Sequence, residues 1–216
     1  MDCCSRIKKS IFISFVILAF FCSLAYAAIE RPAARYSVLF NNDIRHSEEN
    51  FYAHRVEVFF TKKLNGASGY EMVGKMIPFV DLRYSVERRK RERTMTGVEF
   101  GLEPLSFFYV AQQFRYSWYS EALHETGIIE NTNRPEALTK ITLSHRLIPG
   151  KEIVTSYLSG EYTYDFRDGR GARIETIIGL LTAFGKDWEA NLDWRHRDRI
   201  HNADCDTFEA SVAYNF

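Results

Sequence analysis

Residues 79–87 read Phe-Val-Asp-Leu-Arg-Tyr-Ser-Val-Glu. In an extended chain successive side chains point to opposite faces, so Val80, Leu82, Tyr84 and Val86 share one face while Asp81, Arg83, Ser85 and Glu87 share the other. A helix would scatter both sets around its axis; only a strand separates grease from charge this way. The pattern recurs at 96–103, where Val98, Phe100 and Leu102 oppose Gly97, Glu99, Gly101 and Glu103. It returns at 188–195, with Trp188, Ala190, Leu192 and Trp194 opposed by Glu189, Asn191, Asp193 and Arg195.

Extending the same test along the chain predicts ten strands, near 35–45, 51–64, 77–88, 94–103, 105–119, 137–148, 152–166, 172–184, 187–198 and 206–216. The sixth is the least regular, since Ile141, Leu143 and Leu147 share a face with His145, and 70–76 reads equally as turn, bulge or strand extension before Pro78. These segments predict an all-β fold, a single antiparallel up-and-down transmembrane barrel of about ten strands, with eight or twelve as alternatives. Ten residues at about 3.3 Å each, tilted by about 40°, span roughly 25 Å, the height of the apolar band of a membrane barrel.

The amino end reads as a secretory leader. Arg6, Lys8 and Lys9 precede an apolar run from Ile11 to Leu24, and Ala25-Tyr26-Ala27 offers a small-x-small cleavage site. The expected organisation is therefore a cleaved signal peptide at 1–27, exported by the general secretory route, followed by one barrel domain at 28–216. Cys3, Cys4 and Cys22 lie in the leader, which leaves Cys205 alone and excludes an internal disulfide. The 28 basic and 28 acidic residues balance, so no nucleic-acid partner is expected.

Connections and aromatics agree with a membrane. With the amino end periplasmic, the short connections at 103–105, 149–151 and 185–186 and the moderate one at 65–69 fall on one side, and 46–50, 89–93, 120–136, 167–171 and 199–205 on the other. Trp118, Tyr164, Phe166 and Trp194 are expected near the outer rim, and Phe108, Trp188 and Tyr214 near the inner one, where rings with a polar edge favour the interface. The lipid-facing set is then Val80, Leu82, Tyr84, Phe100, Trp118, Tyr164, Trp188, Trp194, Tyr214 and Phe216. Alternation by itself also fits a soluble periplasmic lipocalin-like carrier with the greasy face turned inward.

The last strand alternates Phe208, Ala210, Val212, Tyr214 and Phe216. This ending resembles the carboxyl-terminal aromatic assembly signal of bacterial outer-membrane barrels, which implies recognition by the barrel insertion machinery and an outer-membrane location. From Tyr157 through Arg173 and Trp188 to Phe216 the chain also loosely resembles an outer-membrane barrel family of undefined function. The shared features are an inward acid near Glu161, Arg173 opening the next strand and the final aromatic strand; the resemblance implies architecture and transfers no catalytic residue.

If the apolar face meets lipid, the lumen is lined by Glu57, Asp81, Arg83, Glu87, Glu99, Arg115, Glu161, Asp165, Arg173, Glu175, Asp193 and Arg195, together with Glu103 and Glu209. Ten strands give a backbone radius of roughly 10 Å, so charges entering from all sides leave at most a narrow passage. Paired with one another these charges form a structural, salt-bridge-filled interior; unpaired they form a pore lining, and the acidic excess of the set favours cations slightly. The expected function is a structural or narrow-pore outer-membrane barrel.

An enzyme acting on lipid or peptide at the external rim is the alternative. His196, Asp198, His201, Asp204 and Asp206 cluster with Cys205 about the last external loop, where an Asp-His pair or a metal site would have its ligands. Ser144 and His145 are adjacent on one strand and point to opposite faces, which excludes a nucleophile-base pair. No nucleophile elbow, phosphate loop or Cys-x-x-Cys site occurs, so neither cofactor nor metal is expected. The basic run Arg88 to Arg93, interrupted by Glu92, lies on an expected external loop, where Arg forks suit lipopolysaccharide phosphates beside the surrounding outer-membrane lipid.

Overall fold

The ten alternating segments become ten strands in a computed structural model that describes residues 32–44, 50–65, 71–86, 91–119, 122–123, 129–130, 133–148, 153–200 and 204–216. They are β1 (Ala33–Asp43), β2 (Phe51–Asn65), β3 (Glu71–Ser85), β4 (Arg91–Leu105), β5 (Phe108–Tyr119), β6 (Arg134–Arg146), β7 (Val154–Asp165), β8 (Arg170–Phe184), β9 (Trp188–Arg199) and β10 (Cys205–Asn215). Each strand pairs antiparallel with the next, and β1 pairs with β10 to close the barrel. Closure runs from Arg35 opposite Asn215 to Asp43 opposite Thr207, and the Phe216 amide donates to the Ala34 carbonyl at 2.8 Å. A closed sheet has no free edge, so every strand finds both its neighbours.

The start of β1 and the end of β10 lie at one end, with the turns at 106–107 and 185–187 and the strand ends that flank 66–70 and 149–152. Gly185 adopts φ +69° there, a conformation that suits a residue without Cβ. The other end carries 44–50, 86–90, 120–133, 166–169 and 200–204. The longest of these includes a short pairing of Ala122–Leu123 with Ile129–Glu130.

Several boundaries differ from the sequence reading. β3 begins at Glu71, so 71–76 is strand extension, and Pro78 sits inside the strand opposite Val98 of β4. On the β2 side the ladder passes from Glu57–Phe79 to Phe60–Met76, leaving the proline, which has no N–H to donate, unpaired. β4 continues through Pro104 to Leu105, which moves the tight turn to Ser106 and Phe107 and delays β5 to Phe108. β6 begins at Arg134, earlier than 137, because Arg134, Pro135 and Glu136 already pair with Ser117, Tyr116 and Arg115. Two register shifts occur at the loop end, one between Arg83 and Tyr84 against β4 and one between Gly171 and Arg173 of β8. Such bulges cluster where a sheet must bend at a barrel rim.

The two faces of the barrel are inverted relative to a protein folded around a greasy core. Leu192 is 54% exposed and Ile178 53%, whereas Asp193 is 1% exposed and Glu175 3%. Val38, Phe40, Val56, Val80, Ile141, Leu158, Phe208 and Val212 extend the exposed apolar belt around the circumference. Aromatic clusters mark both ends of that belt. Tyr116 and Trp118 lie 4.6 Å apart between ring centroids at the loop end, and Trp188 and Tyr214 lie 4.9 Å apart at the terminus end.

Glycine and aromatic residues interlock on the inner face. The Tyr109 ring covers Gly101, the Tyr157 ring covers Gly179, and Phe79 lies against Gly97, each in space a Cβ would occupy. The rings therefore reach the wall and free the lumen for charged side chains.

Candidate functional site

Alternation in a closed barrel delivers every second residue of all ten strands to one interior, and the charges gather there. Two cavities among the described residues lie within it. The outer, of about 310 Å³, is lined by Phe51, Arg83, Arg93, Arg115, Arg173 and Arg197 among others, at strand ends that flank the longer connections. The inner, of about 440 Å³, is lined by Arg35, Phe59, Lys75, Glu103, Tyr109, Tyr157 and Glu189 among others, toward the termini. Leu39, Arg55, Glu99, Lys140, Arg195 and Glu209 line both and form the belt between them.

The belt is held by ion pairs both within strands and between neighbouring ones. Arg195 donates from Nε to Asp193 Oδ1 at 2.9 Å, its Nη2 lies 2.7 Å from Glu209 Oε1, and its Nη1 lies 3.8 Å from Glu175 Oε2. Glu175 also meets Arg173 Nε at 2.7 Å and Arg197 Nε at 3.0 Å. Across the lumen Arg55 Nε lies 2.9 Å from Glu57 and stacks over Phe79, 4.3 Å from the ring centroid. Glu99 accepts from Tyr109 Oη at 2.6 Å and from Gln113 Nε2 at 3.1 Å. Charges taken from water persist only with partners, and these acceptors and donors supply them.

Below the belt, Lys75 pairs with Glu103 and Arg35 with Glu189. Tyr157 donates to Asp193 Oδ2 at 2.8 Å, fixing the acid that holds Arg195. Above it, Arg115 donates from Nε to Glu136 Oε2 at 2.8 Å. Arg83 stacks on Phe51 with its guanidinium carbon 3.4 Å from the ring centroid.

Of the residues the sequence assigns to the lumen, Glu57, Asp81, Arg83, Glu99, Arg115, Glu161, Arg173, Glu175 and Arg195 line one or both cavities, as do Glu103 and Glu209. Asp193 and Asp165 are buried in the wall behind the lining. Asp165 accepts from the Arg167 and Asp168 amides at 2.8 and 3.3 Å and so ties the β7–β8 turn. Glu87 lies outside the described residues, as do the leader at 1–27 and residues 88–90 of the basic run. Val80, Trp118, Trp188 and Phe216 are exposed on the outer face, and Leu82, Tyr84, Phe100, Tyr164, Trp194 and Tyr214 are half-buried against neighbours.

Sequence reasoning missed Arg35, Arg55, Lys75, Arg93, Glu136, Lys140, Glu189 and Arg197. Parity identifies them once register is known: in most strands the odd positions face in, but β6 pairs Leu138 with Gln113 and Lys140 with Glu161, so its even positions face in. The acidic excess read from the sequence is reversed in the outer cavity. Among the described residues, Arg55, Arg83, Arg93, Arg115, Lys140, Arg173, Arg195 and Arg197 line it against Asp81, Glu99, Glu161, Glu175 and Glu209, eight cations to five acids. The inner cavity has five of each.

The His-Asp cluster about the last connection is split by the strands. His196 pairs in register with Asp206, with Nδ1 2.8 Å from Oδ1, while Cys205 is fully buried near Arg197 Nη1 at 3.9 Å. His201 lies outside the described residues, and among the described residues no group of three His, Cys, Asp or Glu is placed to hold a metal.

No family model matches the chain, and no curated protein matches it. Solved barrels do. The NanC porin aligns at 12% identity over 85% of this chain and 99% of its own, with a TM-score of 0.46. The KdgM porin in complex with disordered oligogalacturonate aligns at 11% over 85% and 99%, TM-score 0.43. The β domain of the Bordetella autotransporter Brka aligns at 13% over 85% and 98%, TM-score 0.42. At such identities the chain is similar to these proteins without sharing a demonstrated role.

Proposed function

We propose that this chain is an integral outer-membrane β-barrel of structural or narrow-pore type, its lumen divided at mid-height by the belt of Arg55, Glu99, Lys140, Arg195 and Glu209. The observation that carries the reading is the inversion of the faces, with Leu192 at 54% and Ile178 at 53% exposure outside and Asp193 and Glu175 buried inside. An apolar surface that circles the whole molecule far exceeds the isolated patches soluble monomers tolerate, and hydrocarbon is the solvent that suits it.

Aromatic clusters at both ends of the belt support the same placement, at the two headgroup levels. The termini and short turns then lie on the periplasmic side and the longer connections outside. A lipocalin-like carrier needs an apolar interior, and the interior here is made of carboxylates and guanidiniums. With the belt in place the passage admits at most small solutes, because ion-paired side chains from opposite walls share its narrowest level.

Extraction tests the reading. Membranes containing the protein should retain it through alkaline carbonate and release it into detergent, and the released barrel should migrate faster on a gel unheated than boiled. Release by carbonate without detergent overturns the proposal.

A further inference from the structure

We propose that the outer face carries a hydrolytic site for carboxylic esters of membrane lipids, with Thr176 as nucleophile, His196 as general base and Asp206 as the group that orients it. The site rests on the outer face meeting lipid. Carbonate release of the barrel sinks both readings, whereas a carbonate-resistant barrel without hydrolysis sinks only the site.

Register assembles the three side chains. Thr176 of β8 stands opposite His196 of β9, and His196 stands opposite Asp206 of β10, so hydroxyl, imidazole and carboxylate follow one another across neighbouring strands. All three belong to the outward set: Thr176 lies between the exposed Ile174 and Ile178, His196 follows Leu192 and Trp194, and Asp206 precedes the exposed Phe208. Directly opposed side chains in an antiparallel pair have Cβ atoms about 4.5–5.5 Å apart, within reach of one hydrogen bond.

The imidazole is set as a base. Its Nδ1 lies 2.8 Å from Asp206 Oδ1, and its ring stacks on Trp194 with centroids 6.0 Å apart and planes 24° apart. A carboxylate accepting from Nδ1–H keeps the proton there and leaves the lone pair on Nε2. Asp206 and Thr176 flank His196 from opposite sides of β9, so the free nitrogen and the hydroxyl share a side. Among the described residues neither Nε2 nor the Thr176 hydroxyl has a hydrogen-bond partner, and catalytic contacts of this kind commonly close only around substrate.

The wall beside Thr176 has room for an ester. Gly160 of β7 stands opposite Thr176, with open space where a Cβ would be, and Ile141 and Leu158 lie exposed around it. A carbonyl carbon lodged in that notch meets the Thr176 hydroxyl while its acyl chain follows the apolar belt. His196 and Asp206 lie near the loop ends of β9 and β10 beside Trp194, the level at which aromatic rings mark the headgroup boundary.

The reaction needs only water besides the ester. Thr176 Oγ1 bonds to the carbonyl carbon as Nε2 takes the hydroxyl proton; the bond from that carbon to the alkoxy oxygen then breaks, and the proton passes to the departing alcohol. Water attacks the acyl-threonine with Nε2 again as base, which releases the fatty acid and restores the hydroxyl.

The full-length barrel, folded into vesicles of phosphatidylethanolamine and phosphatidylglycerol and, separately, mixed with lipopolysaccharide, tests the site by mass spectrometry of released fatty acid. Faster migration of the unheated protein is the folding control for every variant. Release from at least one lipid is expected, and the lipid that yields it identifies the source of the ester. Thr176→Ala and His196→Gln should each lower release about a hundredfold or more, with Thr176→Ser retaining it. Asp206→Asn should lose release that Asp206→Glu recovers in part, and Gly160→Leu, which fills the notch, should lower it about tenfold or more. A fluorophosphonate should add to Thr176 in the unaltered barrel and not in His196→Gln. No release from either lipid, full release by Thr176→Ala, or labelling that ignores His196 overturns the proposal.

Discussion

Arg195 Nη2 lies 2.7 Å from Glu209 Oε1, a contact between neighbouring strands at the level where the two chambers meet. The same guanidinium reaches Asp193 and Glu175, so one side chain gathers three acids at that level. Removing the arginine together with Glu209 takes away bulk without leaving either charge alone. Planar-bilayer recordings of Arg195→Ala with Glu209→Ala should show a conductance several-fold above that of the unaltered barrel. An unchanged conductance would place the constriction elsewhere.

Glu175 is the acid with most to lose. It is buried at 3% exposure and serves Arg173, Arg195 and Arg197. Glu175→Gln leaves three guanidiniums short of their counter-charge, and breaking buried pairs of this kind costs about 3–5 kcal/mol. Glu71→Gln, which removes the exposed pair with Lys63, should cost about 0–1 kcal/mol. Urea unfolding of both variants in lipid vesicles measures the contrast.

The interlocked glycines make a second stability prediction. A Cβ at Gly101 would collide with the Tyr109 ring and one at Gly179 with the Tyr157 ring, displacing hydroxyls that hold Glu99 and Asp193. Gly101→Ala and Gly179→Ala should each cost about 1–3 kcal/mol, as forced overpacking does. Gly160 has open space where its Cβ would stand, so Gly160→Ala should fold with unchanged stability in the same assay.

On the outer face, Leu192 pairs with Leu180 and Ala210 near the middle of β9. Leu192→Arg places a guanidinium in hydrocarbon and should cost about 2–4 kcal/mol, the range for an arginine at the midplane of such barrels. Val86→Arg, at the loop end, should cost about 0–1 kcal/mol, since the penalty fades toward the interface. Equal small costs at both positions would argue for water outside the barrel.

Much of the fold was legible because period-two alternation needs no knowledge of partners: Val80 to Val86 and Trp188 to Trp194 declare their faces by themselves. Pro78 concealed the start of β3, since a proline reads as a boundary when judged by local rules, yet here it merely interrupts the β2 ladder for two residue pairs, between Glu57–Phe79 and Phe60–Met76. Arg115 and Glu136 are 21 residues apart and meet only after β5 pairs with β6 across the longest connection. Lys140 was hidden by the change of parity in β6. The belt and the cationic outer chamber depend on closure and on which side chains reach past the wall, quantities that no single strand contains.

The central claim is that hydrocarbon surrounds the apolar face. Nitroxide labels at Leu192→Cys and at Asn191→Cys, each with Cys205→Ser, report it most directly when the barrel is reconstituted in lipid vesicles. Relaxation by molecular oxygen should exceed that by a water-soluble nickel complex at position 192, and the order should reverse at 191, whose side chain lines the inner chamber. Nickel prevailing at 192 would contradict the account.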